Sequence, residues 1–292
     1  MELKKEDRNY ESISPSATAL LLMKGYTSIP FARQAAEWIT QPEAYVPDFN
    51  RKDFSFWART AHFETRYWSI DQLLEGLSIS NILELSSGFS LRGLDAVVHG
   101  KVNYIDTDLP EVMAQKVRLI ASLLKQGLVE KGRLELMPLN ALDERDFENT
   151  VNFFPAGEVA IVNEGLLMYL GMAEKEQLCS IIHKLLQKRG GYWITADIYV
   201  RNMRSMGKAL KLDDRLQQFL DEHKVEENKF EDFESAEAFF RKQGFVIDKE
   251  AVRDHSRITA LTHMLTNASA EQLEGLKNAG KHFATWRLRV AD

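Results

Sequence analysis

The spacing of apolar and polar positions divides the chain into three stretches. From about residue 14 to residue 77 apolar residues recur at helical spacing, aromatic residues are frequent, and Pro30, Pro42 and Pro47 interrupt the pattern. This predicts helices and loops ahead of a sheet. The rhythm then changes to short apolar runs at residues 81–85, 102–105, 133–137, 159–162 and 192–199, which read as five strands. The segments between them carry helical patterns. One helix follows Ser86-Ser87-Gly88 and runs through Leu94 to Val98, and Pro110 opens another that reaches Leu124. A third covers residues 173–187, where Leu178, Ile181, Ile182, Leu185 and Leu186 share a face before Gly190-Gly191 ends it.

Strands that alternate with helices predict a largely parallel sheet covered on both faces, and right-handed crossovers make it doubly wound. In the third stretch, residues 201–243 are charged with a helical pattern and read as an insertion, and residues 244–247 and 285–290 read as two closing strands. The expectation is a single α/β domain over residues 1–292. It has a helical N-terminal cap at 1–77 and a core at 78–292 built on a mostly parallel, seven-stranded sheet, with the helical insertion near the C-terminal strands. There is no internal repeat and no low-complexity segment.

Composition narrows the partners rather than the fold. With 45% hydrophobic and 27% charged residues the chain can bury a sizeable core. A net charge of −6 without a basic run argues against nucleic acid. The single cysteine, Cys179, forms no internal disulfide and suits a reducing compartment. The start Met1-Glu2-Leu3-Lys4-Lys5-Glu6-Asp7 is polar, and no apolar run approaches the ~18 residues of a membrane span. A cytoplasmic protein with no membrane partner is expected. No metal is implied, because no set of His, Asp and Glu shows ligand spacing. Oligomeric state is not encoded in any pattern here.

In an open parallel sheet, ligands collect at the carboxyl ends of the strands. After the first strand, Glu84-Leu85-Ser86-Ser87-Gly88-Phe89-Ser90 offers small residues and the free N–H groups of a following helix; by itself this is also the pattern of a plain turn. The second strand runs into Asp106-Thr107-Asp108. An acid here is placed to accept hydrogen bonds from a ribose diol, or equally to cap the helix that Pro110 opens. No complete G-x-G-x-x-G pattern is present, which favours a cofactor without a pyrophosphate over a nicotinamide dinucleotide.

Three segments in order carry a resemblance. They are Asn81-Ile82-Leu83-Glu84-Leu85-Ser86-Ser87-Gly88-Phe89-Ser90-Leu91-Arg92, then Tyr104-Ile105-Asp106-Thr107-Asp108-Leu109-Pro110-Glu111-Val112, then Asn163-Glu164-Gly165-Leu166-Leu167-Met168-Tyr169-Leu170. Together they resemble the leucine carboxyl methyltransferase family and its bacterial polyketide O-methyltransferase relatives, over residues 59–197. The resemblance implies a Rossmann-like fold, S-adenosyl-L-methionine as cofactor, and O-methyl transfer. It implies that Glu84, Ser86 and Gly88 cradle the methionine part, that Asp108 binds the ribose with Asp106 beside it, and that Arg66 pairs with the cofactor carboxylate. It further implies that Asn140, Ala141 and Leu142 lie near the adenine and that Glu164 belongs to the fourth motif. Ser86 and Asn140 stand where the family more usually has glycine and aspartate.

On the acceptor side the resemblance points to Tyr169 and Asn163. A carboxylate acceptor is already ionised at neutral pH and needs no general base, whereas a hydroxyl acceptor usually does. No histidine lies in the three motifs; His62, His255 and His263 fall in segments expected to wall the acceptor. The expected activity is therefore methylation of a carboxylate on a small molecule or a peptide C-terminus. Hydroxyl methylation of an aromatic metabolite, and a catalytically silent cofactor-binding protein, stand as alternatives.

Overall fold

The computed structural model describes residues 14–201 and 214–291. Three helices precede the sheet: α1 (Ser14–Lys24), α2 (Ala32–Ile39) and α3 (Phe54–Leu74). The carboxylate of Asp53 caps α3 by accepting from the Phe56 N–H. Four parallel crossovers follow: β1 (Asn81–Leu85), α4 (Arg92–His99), β2 (Asn103–Asp108), α5 (Pro110–Leu124), β3 (Arg133–Pro138), α6 (Glu144–Val151), β4 (Val159–Asn163), α7 (Met172–Arg189) and β5 (Gly191–Tyr199). The chain closes with α8 (Asp214–Glu222), α9 (Phe233–Lys242), β6 (Phe245–Glu250), α10 (Thr259–Thr266), α11 (Ala270–Asn278) and β7 (Phe283–Val290).

The seven strands form one sheet in the order β3-β2-β1-β4-β5-β7-β6, with β7 antiparallel to both its neighbours and the rest parallel. This is the Rossmann-like, doubly wound sheet expected from the strand and helix rhythm. Successive residues of one strand supply both faces. Leu83 and Leu85 join a core with Phe147 of α6 and Leu178 and Ile182 of α7, whereas Ile82 joins Ile70 and Leu73 of α3 and Val97 of α4. Each such side chain stabilises the fold by ~1.5 to 3 kcal/mol when fully buried, so α3 is as much a part of the core as the crossover helices.

Strand order reverses between β1 and β4, so their carboxyl ends flank a crevice. Leu85 lies opposite Asn163 there, and Glu84 lies opposite Asp106.

The second strand, expected to fit residues 102–105 and to end in Asp106-Thr107-Asp108, begins at Asn103 and pairs with β3 through all three of those residues. The insertion expected at 201–243 is helical only at α8 and α9 among the described residues, and residues 202–213 lie outside them. Three helices were not foreseen: α6, α10 and α11. The first is a polar eight-residue segment, and the other two join β6 to β7.

Candidate active site

β1 delivers the chain into a turn that reverses direction with Ser86 at φ 50° and Gly88 at φ 52°. Glycine adopts this left-handed conformation freely and serine does so at a cost, so the turn is held from outside. The Ser87 N–H donates to the Thr107 carbonyl at 2.9 Å and the Gly88 N–H to Asp108 Oδ2 at 2.7 Å. The other Asp108 oxygen accepts from the Leu109 N–H at 2.7 Å. Burial raises the Asp108 carboxyl and these two N–H groups oppose the shift. Asp108 thus ties the β1 turn to the end of β2 and to Leu109, the residue before α5, without capping the helix itself.

Asp106 behaves differently. Its side chain is fully buried, with Lys116 Nζ of α5 at 2.9 Å from Oδ2. Burial pushes its carboxyl up to about 7 against the pull of Lys116. Two apart in β2, Asp106 and Asp108 share one face of the sheet; they differ in depth, Asp106 being enclosed with Lys116 while Asp108, the last residue of the strand, is half-buried at the crevice.

A network of buried charges lies beside this turn. Glu84 accepts from the Tyr104 hydroxyl at 2.6 Å, with Arg92 Nε 3.7 Å away. Arg92 also pairs with Asp71, donates to the Tyr67 carbonyl at 3.1 Å, and lies 3.5 Å from Glu164. Glu164 itself pairs with Lys24 of α1 at 2.8 Å. Burial works against ionisation of Glu164, but Lys24, Arg66 and Arg92 outweigh it and hold the carboxyl below its ordinary value. Ala17 of α1 lies 3.4 Å from where a Cβ on Gly88 would sit, so α1 roofs the turn.

Arg66 is 2% exposed and its Nη2 donates to Asp197 of β5 at 2.8 Å, while its Nε is buried with no hydrogen-bond partner among the described residues. Asp197 additionally accepts from the Asn163 amide and from the N–H groups of Gly165, Leu166 and Leu167. It thereby shapes the loop after β4, where Gly165 takes φ 87°. Asn163 is fully committed: its amide N–H groups donate to Thr195 and Asp197, and its oxygen accepts from the Trp193 indole at 2.7 Å. It is wholly buried among these partners.

Tyr169 hydrogen-bonds Ser16 of α1 and packs its ring on Phe219 of α8 and on His223 just beyond it. Asn140 is exposed beyond β3, where its Oδ1 accepts from the Leu142 N–H at 3.0 Å; Ala141 is buried and the Leu142 carbonyl accepts from Gln177. Leu139 joins this segment to the Asp108 carbonyl at 2.9 Å.

Of the three histidines placed on the acceptor wall, His62 meets the Tyr199 hydroxyl at 2.8 Å at the carboxyl end of β5. His263 stacks on Trp57, and His255 is exposed.

Lys24, Asp71, Arg92, Lys116 and Asp197 are the residues sequence reasoning missed. Two had a signal: Asp197 is an acid inside the apolar run of β5, and Lys116 interrupts the apolar face of α5. Among the described residues no group of His, Cys, Asp and Glu is arranged to hold a metal ion, and no helix is long and apolar enough to cross a membrane.

No protein-family model matches the chain and no curated protein matches it, so the resemblance to leucine carboxyl methyltransferases rests on the three motifs. Solved structures do match. Magnesium protoporphyrin IX methyltransferase (ChlM) from Synechocystis PCC 6803 with bound SAH aligns over 94% of this chain and 100% of its own at 10% identity and a TM-score of 0.49. The N,N-8-amino-8-demethyl-D-riboflavin dimethyltransferase RosA from Streptomyces davawensis aligns over 97% of this chain and 71% of its own at 16% identity and 0.46. LepI in complex with SAM aligns over 76% of this chain at 11% identity and 0.44, and the chain spans 46% of LepI's length.

Proposed function

We propose that the chain is an S-adenosylmethionine-dependent O-methyltransferase that methylates a carboxylate of a small molecule or a peptide C-terminus, working as one domain in which the cap at residues 1–77 completes the site. The observation that carries this reading is the arrangement around the β1 turn. A half-buried acid, Asp108, holds the turn on the β2 side, and the buried cations Arg66 and Lys24 lie on the β4 side. That arrangement supplies an acceptor for a ribose diol at one end and a partner for an amino-acid carboxylate at the other.

The fit has a further mark. The buried Arg66 Nε has no hydrogen-bond partner among the described residues, and a buried donor left unpaired costs ~1 to 3 kcal/mol. A carboxylate oxygen beside it relieves that cost. When bound, the cofactor supplies an electrophilic methyl group on a sulfonium. The protein's own part is orientation and exclusion of water. Ser86 and Gly88 turn the backbone aside, α1 covers the turn through Ala17, and Asp108 and Arg66 fix the two ends of the ligand. Asn140, Ala141 and Leu142, just beyond β3 and joined to the Asp108 carbonyl through the Leu139 N–H, border the adenine; Glu84 and Glu164 act by holding Arg92 and Lys24 in place.

A second reading, methylation of a hydroxyl, is favoured by one contact: His62 and Tyr199 form a hydrogen-bonded pair at the carboxyl end of β5, where a phenol or alcohol would need a proton acceptor. Incubation with methyl-labelled cofactor and panels of carboxylic acids and phenols tests both. A base-labile labelled product identifies an ester and a base-stable one an ether. Cofactor retained without any labelled product would leave a silent binding protein.

A further inference from the structure

The buried face of α5 consists of Val112, Met113, Lys116, Leu119, Ile120 and Leu123, so a lysine occupies a position where the helical period calls for an apolar side chain. Lys116 is wholly buried, and so is its counter-ion Asp106. Such a pair is rarely better for stability than two apolar side chains of the same size, so its presence calls for a second contact. That contact is to the turn: Lys116 Nζ donates to Ser87 Oγ at 2.8 Å. Ser87 stands between the two left-handed residues, Ser86 and Gly88, and its hydroxyl is held by Lys116.

We infer that Lys116 is a positioning residue that holds the β1 turn in its ligand-receiving conformation through Ser87, with Asp106, 2.9 Å from its Nζ, serving to aim it. The inference deepens the proposed function, since the turn in question is the one assigned to the cofactor. The backbone bonds from the Ser87 N–H to Thr107 and from the Ser90 N–H to Ser87 fix the ends of the turn. These bonds and that from the Gly88 N–H to Asp108 hold backbone amides of the turn, whereas the bond from Lys116 holds the Ser87 side chain, next to the left-handed Ser86 where the backbone is least at ease. A charged donor in a dry setting supplies that restraint.

The test uses the full chain and two readouts, the affinity for S-adenosylhomocysteine and the hydrogen-exchange rates of the Ser87 and Ser90 amides without ligand. Ser87→Ala leaves the Lys116–Asp106 pair intact. It should speed exchange in the turn and weaken binding about tenfold, the effect of one charge-assisted hydrogen bond. The double variant Asp106→Leu with Lys116→Met removes both charges, whereas Lys116→Met alone strands the buried Asp106. It should show the same loosened turn and the same weakened binding, and adding Ser87→Ala to it should change neither. A double variant with wild-type exchange and wild-type affinity would overturn the inference, leaving Lys116 as a neutraliser of Asp106 only. If the wild-type chain binds no S-adenosylhomocysteine, the assignment of the cofactor fails, and the exchange rates still decide whether Lys116 holds the turn.

Discussion

Lys24 of α1 and Glu164, the residue that follows β4, meet at 2.8 Å with both side chains almost wholly buried. The contact spans 140 positions of sequence and locks the roof of the crevice to its floor. Removing one partner of a buried pair strands the other, at a cost of about 3 kcal/mol. Lys24→Met should lower the stability measured by urea unfolding by that amount. Lys24→Met with Glu164→Gln should recover most of it, since neither group is then left charged and alone. A single variant as stable as the wild type would show that Arg92, at 3.5 Å, is sufficient for Glu164.

Asp108→Ala should weaken S-adenosylhomocysteine binding by ~1 to 3 kcal/mol in calorimetry. Two effects contribute, loss of the diol acceptor and release of the Gly88 and Leu109 N–H groups. Asp108→Asn keeps one acceptor oxygen and should fall between. An unchanged affinity in a folded variant would remove Asp108 from the ribose. It would not transfer the role to Asp106, which is enclosed with Lys116.

The strands were legible because each is a short apolar run whose length and spacing repeat, and β1, β3, β4 and β5 fall within a residue of where the pattern puts them. Helix α5 was legible to the residue because Pro110 has no N–H to lose at a first helical position. The charge network was not legible. Lys24, Arg92 and Glu164 are far apart in sequence and none breaks a local pattern, so only the folded sheet brings them together. Helix α6 was missed because its few buried residues, Phe147, Thr150 and Val151, make too short a face to register as a period.

Burial lowers the His62 imidazole well below its ordinary value, and nearby Arg66 and His282 add to the effect. The folded state therefore resists protonation more than the unfolded chain does. Stability due to this group is fully present above the unfolded value near 6.5 and is lost as pH falls below it, by up to about 1.4 kcal/mol per unit. His62→Gln keeps a polar partner for Tyr199 and removes the titration. Its urea midpoint should fall less steeply than the wild type's between pH 6.5 and 5, and parallel curves would show that His62 is not the group responsible.

Arg66 offers the sharpest separation of fold from binding. As a cation ahead of the first strand it reads in sequence as surface-lying, with little to contribute to folding; the structure reverses this by burying it against Asp197. Asp197 keeps four other N–H donors when Arg66 is removed, from Asn163, Gly165, Leu166 and Leu167, so the stranded acid is better off than most. Arg66→Ala should therefore cost about 3 kcal/mol, the low end for a buried pair. Arg66→Lys keeps the charge and should cost less, but an ammonium cannot present the planar fork that a carboxylate ligand requires. Its affinity for S-adenosylhomocysteine should fall at least tenfold, or ~1.4 kcal/mol, while the fold is retained. Deleting residues 1–70 cannot replace this comparison, because it removes Trp57, Tyr67 and Ile70 from the core, each contributing ~1.5 to 3 kcal/mol, and should leave no folded sheet. Full affinity in a folded Arg66→Lys variant would confine Arg66 to its pairing with Asp197 and return the cofactor carboxylate to Lys24.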